Sequence, residues 1–130
     1  MADLLSSHYQ GPVARVIDSQ VDNCLLGGAV IVDGACIRDS IIRREAVVEP
    51  GVELEDCVIM DYVRIGRGSR LRRVIIDRHN DIAPGTVFGY DPAADAARQF
   101  VTPGGVVVVA KGDPRYFSRG VREGGVAYRE

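Results

Sequence analysis

At 130 residues, the chain is long enough for one domain with a buried core, and it is short for an enzyme that acts on two substrates. Its 16 basic and 18 acidic residues give a formal net charge of −2, which argues against a general nucleic-acid-binding protein. No apolar run is long enough to span a membrane, and the first residues lack the basic-then-apolar pattern of a signal peptide. We therefore expect a cytoplasmic protein.

The first part of the chain predicts a linker followed by an irregular opening coil. Residues 1–12 carry no periodic pattern and end on a Gly-Pro pair, which is typical of loops, so we predict an N-terminal linker there. Residues 13–17 and 21–26 are short runs that favour β-structure. We predict that they begin a single domain over residues 13–112, and that its first coil is irregular because it ends the stack.

A repeat of seventeen residues follows, over residues 31–98. Each row opens on an aliphatic residue, has glycine at its fourth position and carries a large apolar residue at its seventh. Four rows in register make this repeat the strongest signal in the sequence. The opening residues are Ile31, Val48, Ile65 and Ile82, and the glycines are Gly34, Gly51, Gly68 and Gly85.

The spacing of the apolar positions predicts a triangular parallel β-helix. Within a row these positions lie five or six residues apart, which gives three short strands separated by bends. Stacking the rows turns each apolar position into a ladder inside a prism, as in hexapeptide-repeat proteins. The glycines then lie at a corner, where Pro50-Gly51 and Pro84-Gly85 have the composition of type II turns. We therefore predict an all-β fold with about 17 residues per coil.

Three further segments follow the last coil. Residues 93–100 have helical composition, with Asp91 as the N-cap and Pro92 at the first position, and we expect this helix to close the prism. Residues 106–110 form an apolar strand that must be covered or paired. Together with the end coil, this strand is expected to leave an apolar edge that favours self-association. Residues 113–130 are rich in arginine and glycine and are predicted to form a C-terminal tail.

The cysteines and histidines predict neither a disulfide framework nor a metal site. Cys24, Cys36 and Cys57 form no C-x-x-C pair; we expect Cys24 and Cys57 to pack in the core and Cys36 to be partly exposed. Two histidines are too few for a zinc site shared between subunits. His79 is predicted to be a solvated corner residue, and the alternative for it is the general base of an acyltransferase.

A dense group of arginines has two interpretations. The group could bind a phosphorylated metabolite through bidentate contacts, or it could pair with the acidic residues of neighbouring rows. The sequence favours neither. The group comprises Arg64, Arg67, Arg70, Arg72, Arg73 and Arg78.

Three blocks of the sequence resemble the C-terminal domain of the glucose-1-phosphate adenylyltransferase (ADP-glucose pyrophosphorylase) family. They are SQVDNCLLGG at residues 19–28, VIIDR at residues 74–78 and IAPGTVFGYDP at residues 82–92. Their order and spacing match over roughly residues 11–112. The resemblance implies a left-handed β-helix that packs on a nucleotidyltransferase domain, helps to assemble a homo-oligomer and contributes to an allosteric site.

The resemblance also carries expectations about function. Enzymes of this family make ADP-glucose from ATP and glucose 1-phosphate with Mg²⁺, in glycogen biosynthesis. Their glycine-rich nucleotide loop and metal-binding aspartates have no counterpart in this sequence. We therefore expect no catalytic residue, metal or cofactor in this chain, and no activity when it is alone. By resemblance, Arg78 and Lys111 are the effector-phosphate-binding residues, and Lys111 is the only lysine.

The expected function is thus a regulatory and oligomerisation domain that binds phosphorylated sugar activators together with a nucleotidyltransferase domain. Neither a nucleic acid nor a membrane is an expected partner. Two alternatives stay open at this point: a hexapeptide-repeat acyltransferase and a stand-alone structural interaction module.

Overall fold

A computed structural model gives the structure of residues 13–112, in which short strands and one helix follow each other. The predicted linker at residues 1–12 and the predicted tail at residues 113–130 lie outside the described residues. The helix α1 is Pro92–Arg98 and lies between β14 and β15. The strands are β1 (Arg15–Ile17), β2 (Gln20–Asp22), β3 (Leu25–Leu26), β4 (Ile31–Asp33), β5 (Cys36–Arg38), β6 (Ile41–Ile42), β7 (Val47–Val48), β8 (Glu53–Glu55), β9 (Val58–Ile59), β10 (Arg64–Ile65), β11 (Arg70–Arg72), β12 (Val74–Ile76), β13 (Asp81–Ile82), β14 (Val87–Phe88), β15 (Phe100–Val101) and β16 (Val107–Val109).

The strands form three parallel sheets around one solenoid, as the repeat predicts. The first sheet has the order β1-β4-β7-β10-β13, the second β2-β5-β8-β11-β14, and the third β3-β6-β9-β12-β16-β15. Every pairing is parallel except that of β15 with β16. Successive strands of one coil thus lie in three different sheets, and the chain rises by one strand with each turn. The prediction of an all-β fold with about 17 residues per coil is confirmed.

The interior of the solenoid consists of ladders of aliphatic side chains. Each ladder takes one inward-facing residue from every coil, because side chains alternate between the two faces of a strand. Burying one such side chain contributes about 1.5–3 kcal/mol to stability. Three ladders are Val32, Val48, Ile65 and Ile82; Ile37, Leu54, Leu71 and Phe88; and Ile42, Ile59, Ile76 and Val109, all of them buried.

The first full row departs from the predicted register by one residue. Ile31 pairs with Val47 and is only half-buried, while Val32 pairs with Val48 and takes the ladder position. The reason is the length of the following corner. Only residues 33–35 separate Val32 from the next strand, whereas the second row has one residue more at the same corner. Period counting cannot detect this because Ile31 and Val32 are both aliphatic.

Each coil turns at three corners, which we number by the strand that precedes them. The first corner follows the first strand of a coil and contains the predicted glycines, all with positive φ. At Gly51 φ is 79°, and the Val52 N–H donates to the Glu49 carbonyl at 3.4 Å, which closes the predicted turn. The second and third corners also need a positive φ, and there the chain uses other residues. These are Asn23, Asp39, Asp56 and Arg73 at the second corner, and Ala29, Glu45, Tyr62 and His79 at the third.

The chain after the last coil folds against the end of the solenoid. Asp91 is the N-cap of α1 and Pro92 is its first residue, as predicted. The helix ends at Arg98, two residues earlier than expected, because Phe100 belongs to β15 and pairs with Val108 of β16. The Arg98 guanidinium lies 4.9 Å from the centre of the Phe88 ring, and Phe88 is the last member of its ladder.

The apolar segment at residues 106–110 is an interior strand. Within it, β16 lies between β12 and β15, so both of its backbone edges are hydrogen-bonded. The expectation that this strand leaves an open edge is therefore wrong, because the hairpin with β15 covers it. The open edges of the first coil are those of β1, β2 and β3. Over residues 13–112 there is no helix that is both long and apolar enough to cross a membrane.

Candidate functional site at the third corner

The two predicted phosphate-binding residues lie beside each other at the third corner. Strands β12 and β16 are parallel neighbours, with Ile76 opposite Val109. The register continues past the strands, because the Gly112 N–H donates to the Arg78 carbonyl at 2.9 Å. Arg78 and Lys111 therefore leave adjacent strands at equivalent positions, although 33 residues separate them in sequence. Both side chains are exposed.

Two contacts hold the backbones of these residues together. The Asn80 side-chain amide donates to the Asp77 carbonyl at 2.9 Å and to the Ala110 carbonyl at 2.7 Å, so it joins the ends of the two strands. Gly112 packs so closely on the His79 carbonyl that a Cβ at this position would overlap it. The corner thus has a defined backbone, from which the two cationic side chains project into solvent.

Two acidic residues in the described part of the chain, Asp61 and Asp77, lie near this corner. The Arg78 Nε lies 3.8 Å from Asp77 Oδ1, and both side chains are about half exposed, so this ion pair is weak. The buried Asp61 carboxylate in the preceding coil contacts Arg43 at 3.1 Å and Arg44 at 3.4 Å. That carboxylate is therefore already paired with two guanidinium groups.

His79 has a structural contact at the same corner. Its φ is 60°, and its ring stacks on that of Tyr62 in the preceding coil, with centroids 5.2 Å apart and an angle of 4° between the planes. His79 therefore lies at a corner, as predicted. It is half-buried, however, and not the solvated side chain that we expected. This stacking gives His79 a role in the turn, and nothing in the described residues favours the acyltransferase alternative.

The group of six arginines does not form one site. The Arg64 guanidinium lies 3.7 Å from Glu49, and that of Arg70 lies 3.6 Å from Glu53. The guanidinium of Arg73 donates to the Gly104 carbonyl at 2.8 Å, which ties the second corner to the terminal hairpin. Pairing with neighbouring groups is thus the better interpretation for most of the group. Of the six, Arg78 alone lies beside Lys111.

The three cysteines are free and differ in exposure. Cys57 is buried and Cys36 is exposed, as predicted, whereas Cys24 is only half-buried because it belongs to the first coil. Burial raises the pKa of the Cys57 thiol from 9.0 to about 11. Among residues 13–112, no group of three or more histidine, cysteine, aspartate or glutamate side chains could hold a metal ion.

Two kinds of similarity to known proteins cover most of these residues. Residues 13–109 match the protein family described as GlmU-like, C-terminal hexapeptide. A glucose-1-phosphate adenylyltransferase from Deinococcus deserti is 40% identical over 112 residues, which is 82% of this chain and 27% of the relative. Glucose-1-phosphate adenylyltransferase 2 from Alkalilimnicola ehrlichii is 45% identical over 89 residues, or 68% of this chain and 21% of the relative. The chain thus spans only about a quarter of the length of these curated relatives.

Proposed function

Because the chain belongs to the GlmU-like, C-terminal hexapeptide family, we propose that it acts as the regulatory and oligomerisation domain of a glucose-1-phosphate adenylyltransferase. In this proposal, the complete protein makes ADP-glucose from ATP and glucose 1-phosphate for glycogen synthesis. The nucleotidyltransferase domain would bind Mg²⁺ and perform the chemistry, and the β-helix alone is inactive. The domain is proposed to act in a homo-oligomer in the cytoplasm.

Within this domain, Arg78 and Lys111 are proposed to bind the phosphate of a sugar-phosphate activator. The observation that carries the proposal is the hydrogen bond from Gly112 to the Arg78 carbonyl, because it holds the two cationic residues on neighbouring strands. A guanidinium offers a planar, bidentate donor, and an ammonium meets the same anion as a compact charge. Two exposed cations alone give a weak site, so tight binding requires groups from the nucleotidyltransferase domain.

A titration followed by amide chemical shifts tests this site. Fructose 1,6-bisphosphate is expected to shift the amides of Arg78, Lys111 and Gly112, with a smaller effect for sulfate. Arg78→Gln and Lys111→Gln should each weaken binding threefold or more. Arg38→Gln is the matched control, because Arg38 is an exposed arginine that pairs with Glu55 on another face. If the amides of Arg78 and Lys111 do not move while those of other arginines do, the site is elsewhere.

A further inference from the structure

The outer face of the third sheet carries a continuous apolar stripe. Each of its six strands contributes one outward-facing side chain, and these side chains are in register. At the usual strand spacing of about 4.8 Å, the stripe is roughly 24 Å long. Leu25 is 68% exposed, Phe100 65% and Ile41 42%, so the described residues leave it largely uncovered. The stripe consists of Leu25, Ile41, Val58, Ile75, Val108 and Phe100.

The outer face of the second sheet differs sharply from this stripe. Its outward positions include Gln20, Glu53, Arg70 and Arg72, and polar or charged residues dominate every strand except β14. A β-helix therefore does not need an apolar outer face for its own stability. A contiguous, solvent-exposed apolar surface of this kind is typical of a binding surface.

At two strands of the stripe, an acidic residue lies on one side of the apolar residue and a basic residue lies on the other. Asp39 lies two residues before Ile41 and Arg43 two residues after it. Around Ile75 the order is reversed, with Arg73 before and Asp77 after it. Of the six strands of the stripe, β6 and β12 therefore present opposite charges on their two sides.

Two depressions beside the first strands of the stripe extend this pattern. One, of about 490 Å³, lies on the side of the second corner and is lined by acidic groups that include Asp39 and Asp56. The other, of about 360 Å³, lies on the side of the third corner and is lined by Arg43 and Arg44, whose two guanidinium groups share the single carboxylate of Asp61. The ridge formed by Leu25 and Ile41 thus runs between an acidic groove and a basic groove.

We propose that the apolar stripe binds a second copy of this chain through a two-fold axis parallel to the axis of the solenoid. Such a rotation exchanges the two sides of the face and keeps each coil at its own height. Asp39 then faces Arg43 of the second copy, and Arg73 faces its Asp77. The acidic groove of each copy meets the basic groove of the other, and the six apolar residues pack on their own counterparts.

The other way to place two copies face to face fits the charges less well. A two-fold axis across the middle of the stripe, parallel to the strands, reverses the order of the coils. That axis passes between Val58 and Ile75, so Asp56 would face Arg73 of the second copy, whereas the basic groove with Arg44 would face the end of β16 that carries Lys111. Like charges that face each other oppose association, so the axis along the solenoid is favoured.

The size of the stripe predicts a weak dimer. The stripe together with one flanking residue on each side of every strand, about 24 Å long, covers roughly 350 Å² per copy, against about 800 Å² per partner in a standard interface. The flanking charges are exposed, so salt should weaken the association further. This inference specifies the surface for the self-association in the proposed function, and it does not depend on the phosphate site.

Sedimentation equilibrium of the 130-residue chain over a range of concentrations tests the surface. The wild-type chain should dimerise, and Ile41→Asp should raise the dissociation constant at least tenfold. Val87→Asp is the matched control, because Val87 is 40% exposed on the second sheet while Ile41 is 42% exposed. The control should change the constant less than twofold. Circular dichroism of each variant checks that the fold persists.

Two outcomes would overturn this surface, and they differ in what they say about the proposed function. If the wild-type chain associates and both variants weaken it equally, self-association stands and this surface is wrong. A wild-type chain that stays monomeric up to about 1 mM would also overturn the surface. In that case another occupant, such as the rest of a longer protein or residues 113–130, covers the stripe. The phosphate titration is read from different residues, so its result is independent of both outcomes.

Cross-linking tests the direction of the two-fold axis. With Cys36→Ala as background, Ile41→Cys should cross-link to its own counterpart through a short bifunctional maleimide, because the proposed axis brings residue 41 of both copies together. The axis across the stripe would instead hold the two copies of residue 41 about three strand spacings apart and bring residue 58 within about one spacing of its counterpart. Efficient cross-linking of Val58→Cys without Ile41→Cys would therefore overturn the proposed arrangement. The background variant alone reports any reaction of the half-buried Cys24.

Discussion

Gly51 shows why the first corner of each coil depends on glycine. Its φ of 79° lies in the left-handed region, which side chains with a Cβ rarely adopt. A Cβ at this position would meet only the backbone of Gly68 at 3.5 Å, which is an ordinary contact. The corner therefore needs glycine for its backbone conformation and not for lack of space.

Gly51→Val should lower the free energy of unfolding by about 1–3 kcal/mol, because a β-branched residue is strained at positive φ. Urea unfolding followed by circular dichroism measures the loss. Gly104→Val is the control: no positive φ is required there, and an added Cβ meets only the Thr102 hydroxyl at 3.9 Å. Equal losses for the two variants would contradict the turn assignment.

Cys57 is a buried ionisable residue that makes the stability of the core depend on pH. The carbonyl oxygens of Glu55 and Leu71 lie 3.3 Å and 3.4 Å from its Sγ, so its one S–H can donate to either of them, and the residue is buried among the interior ladders. Burial is the main reason that the pKa of this thiol rises from 9.0 to about 11, since the thiolate would lose its hydration. The folded state therefore retains its proton at pH values where the unfolded chain has released it.

The contribution of Cys57 to stability should be fully present below pH 9 and should fall as the pH rises from 9.0 to about 11. The loss is on the order of 2–3 kcal/mol, since one pKa unit corresponds to about 1.4 kcal/mol. Cys57→Val removes the ionisable group, and the buried Val74, at the equivalent position of the next coil, shows that valine fits there. Urea unfolding at pH 8 and pH 10.5 should show a smaller decrease for Cys57→Val than for the wild type. Cys36→Ala, at the exposed cysteine, should behave as the wild type.

At the scale of elements, a buried carboxylate of α1 bonds to the chain where it leaves the solenoid. Asp95 is only 3% exposed, and its Oδ2 accepts a hydrogen bond from the Gly89 N–H at 2.9 Å. Gly89 has a φ of 93°, and a Cβ there would overlap the Arg72 carbonyl. The chain therefore leaves the last coil through a fixed turn. The Gly89 N–H of this turn has its hydrogen-bond acceptor on a residue of the helix, Asp95.

Asp95→Ala should lower the free energy of unfolding by about 1–3 kcal/mol, because it leaves the half-buried Gly89 N–H without its acceptor. Asp95→Asn keeps an acceptor oxygen of similar size and should cost less. Thermal unfolding of the two variants provides the comparison, and faster amide exchange at Gly89 in Asp95→Ala would locate the effect. A loss as large for Asp95→Asn would show that the negative charge, and not the hydrogen bond, holds the helix.

The terminal hairpin illustrates how neighbouring elements change a local prediction. Helical composition continues to Phe100, but the helix ends at Arg98 because β15 pairs with β16. Strand β16 in turn occupies the position that another coil would take beside β12. Pairing within the sheet thus decides the end of the helix, and local propensity does not.

At the scale of the whole molecule, both proposed surfaces arise from stacking. The phosphate site unites Arg78 with Lys111 because β16 joins the third sheet beside β12. The apolar stripe exists because six short strands place one outward side chain each along a line. Leu25 and Phe100 lie 75 residues apart in sequence and belong to the same stripe.

The sequence by itself determined the periodic part of the fold. The coil length, the inward ladders, the glycine corner and the N-cap at Asp91 all depend on local rules: side-chain alternation, backbone conformation and hydrogen bonding within a few residues. These rules repeat in every row, so each row supports the others. The left hand of the coil, by contrast, was expected only from family resemblance, and it stays a prediction.

Only the tertiary structure decided the remaining features. The first row shifts from Ile31 to Val32 because a corner is one residue shorter, and two aliphatic neighbours hide that change from a count of periods. At the second and third corners, residues such as Arg73 and His79 have a positive φ, which their residue types do not predict. The meeting of Arg78 with Lys111 depends on where a strand after the last coil pairs. Such pairing is a competition between distant segments for one sheet edge, and its outcome depends on the packing of the whole chain rather than on any single stretch of sequence.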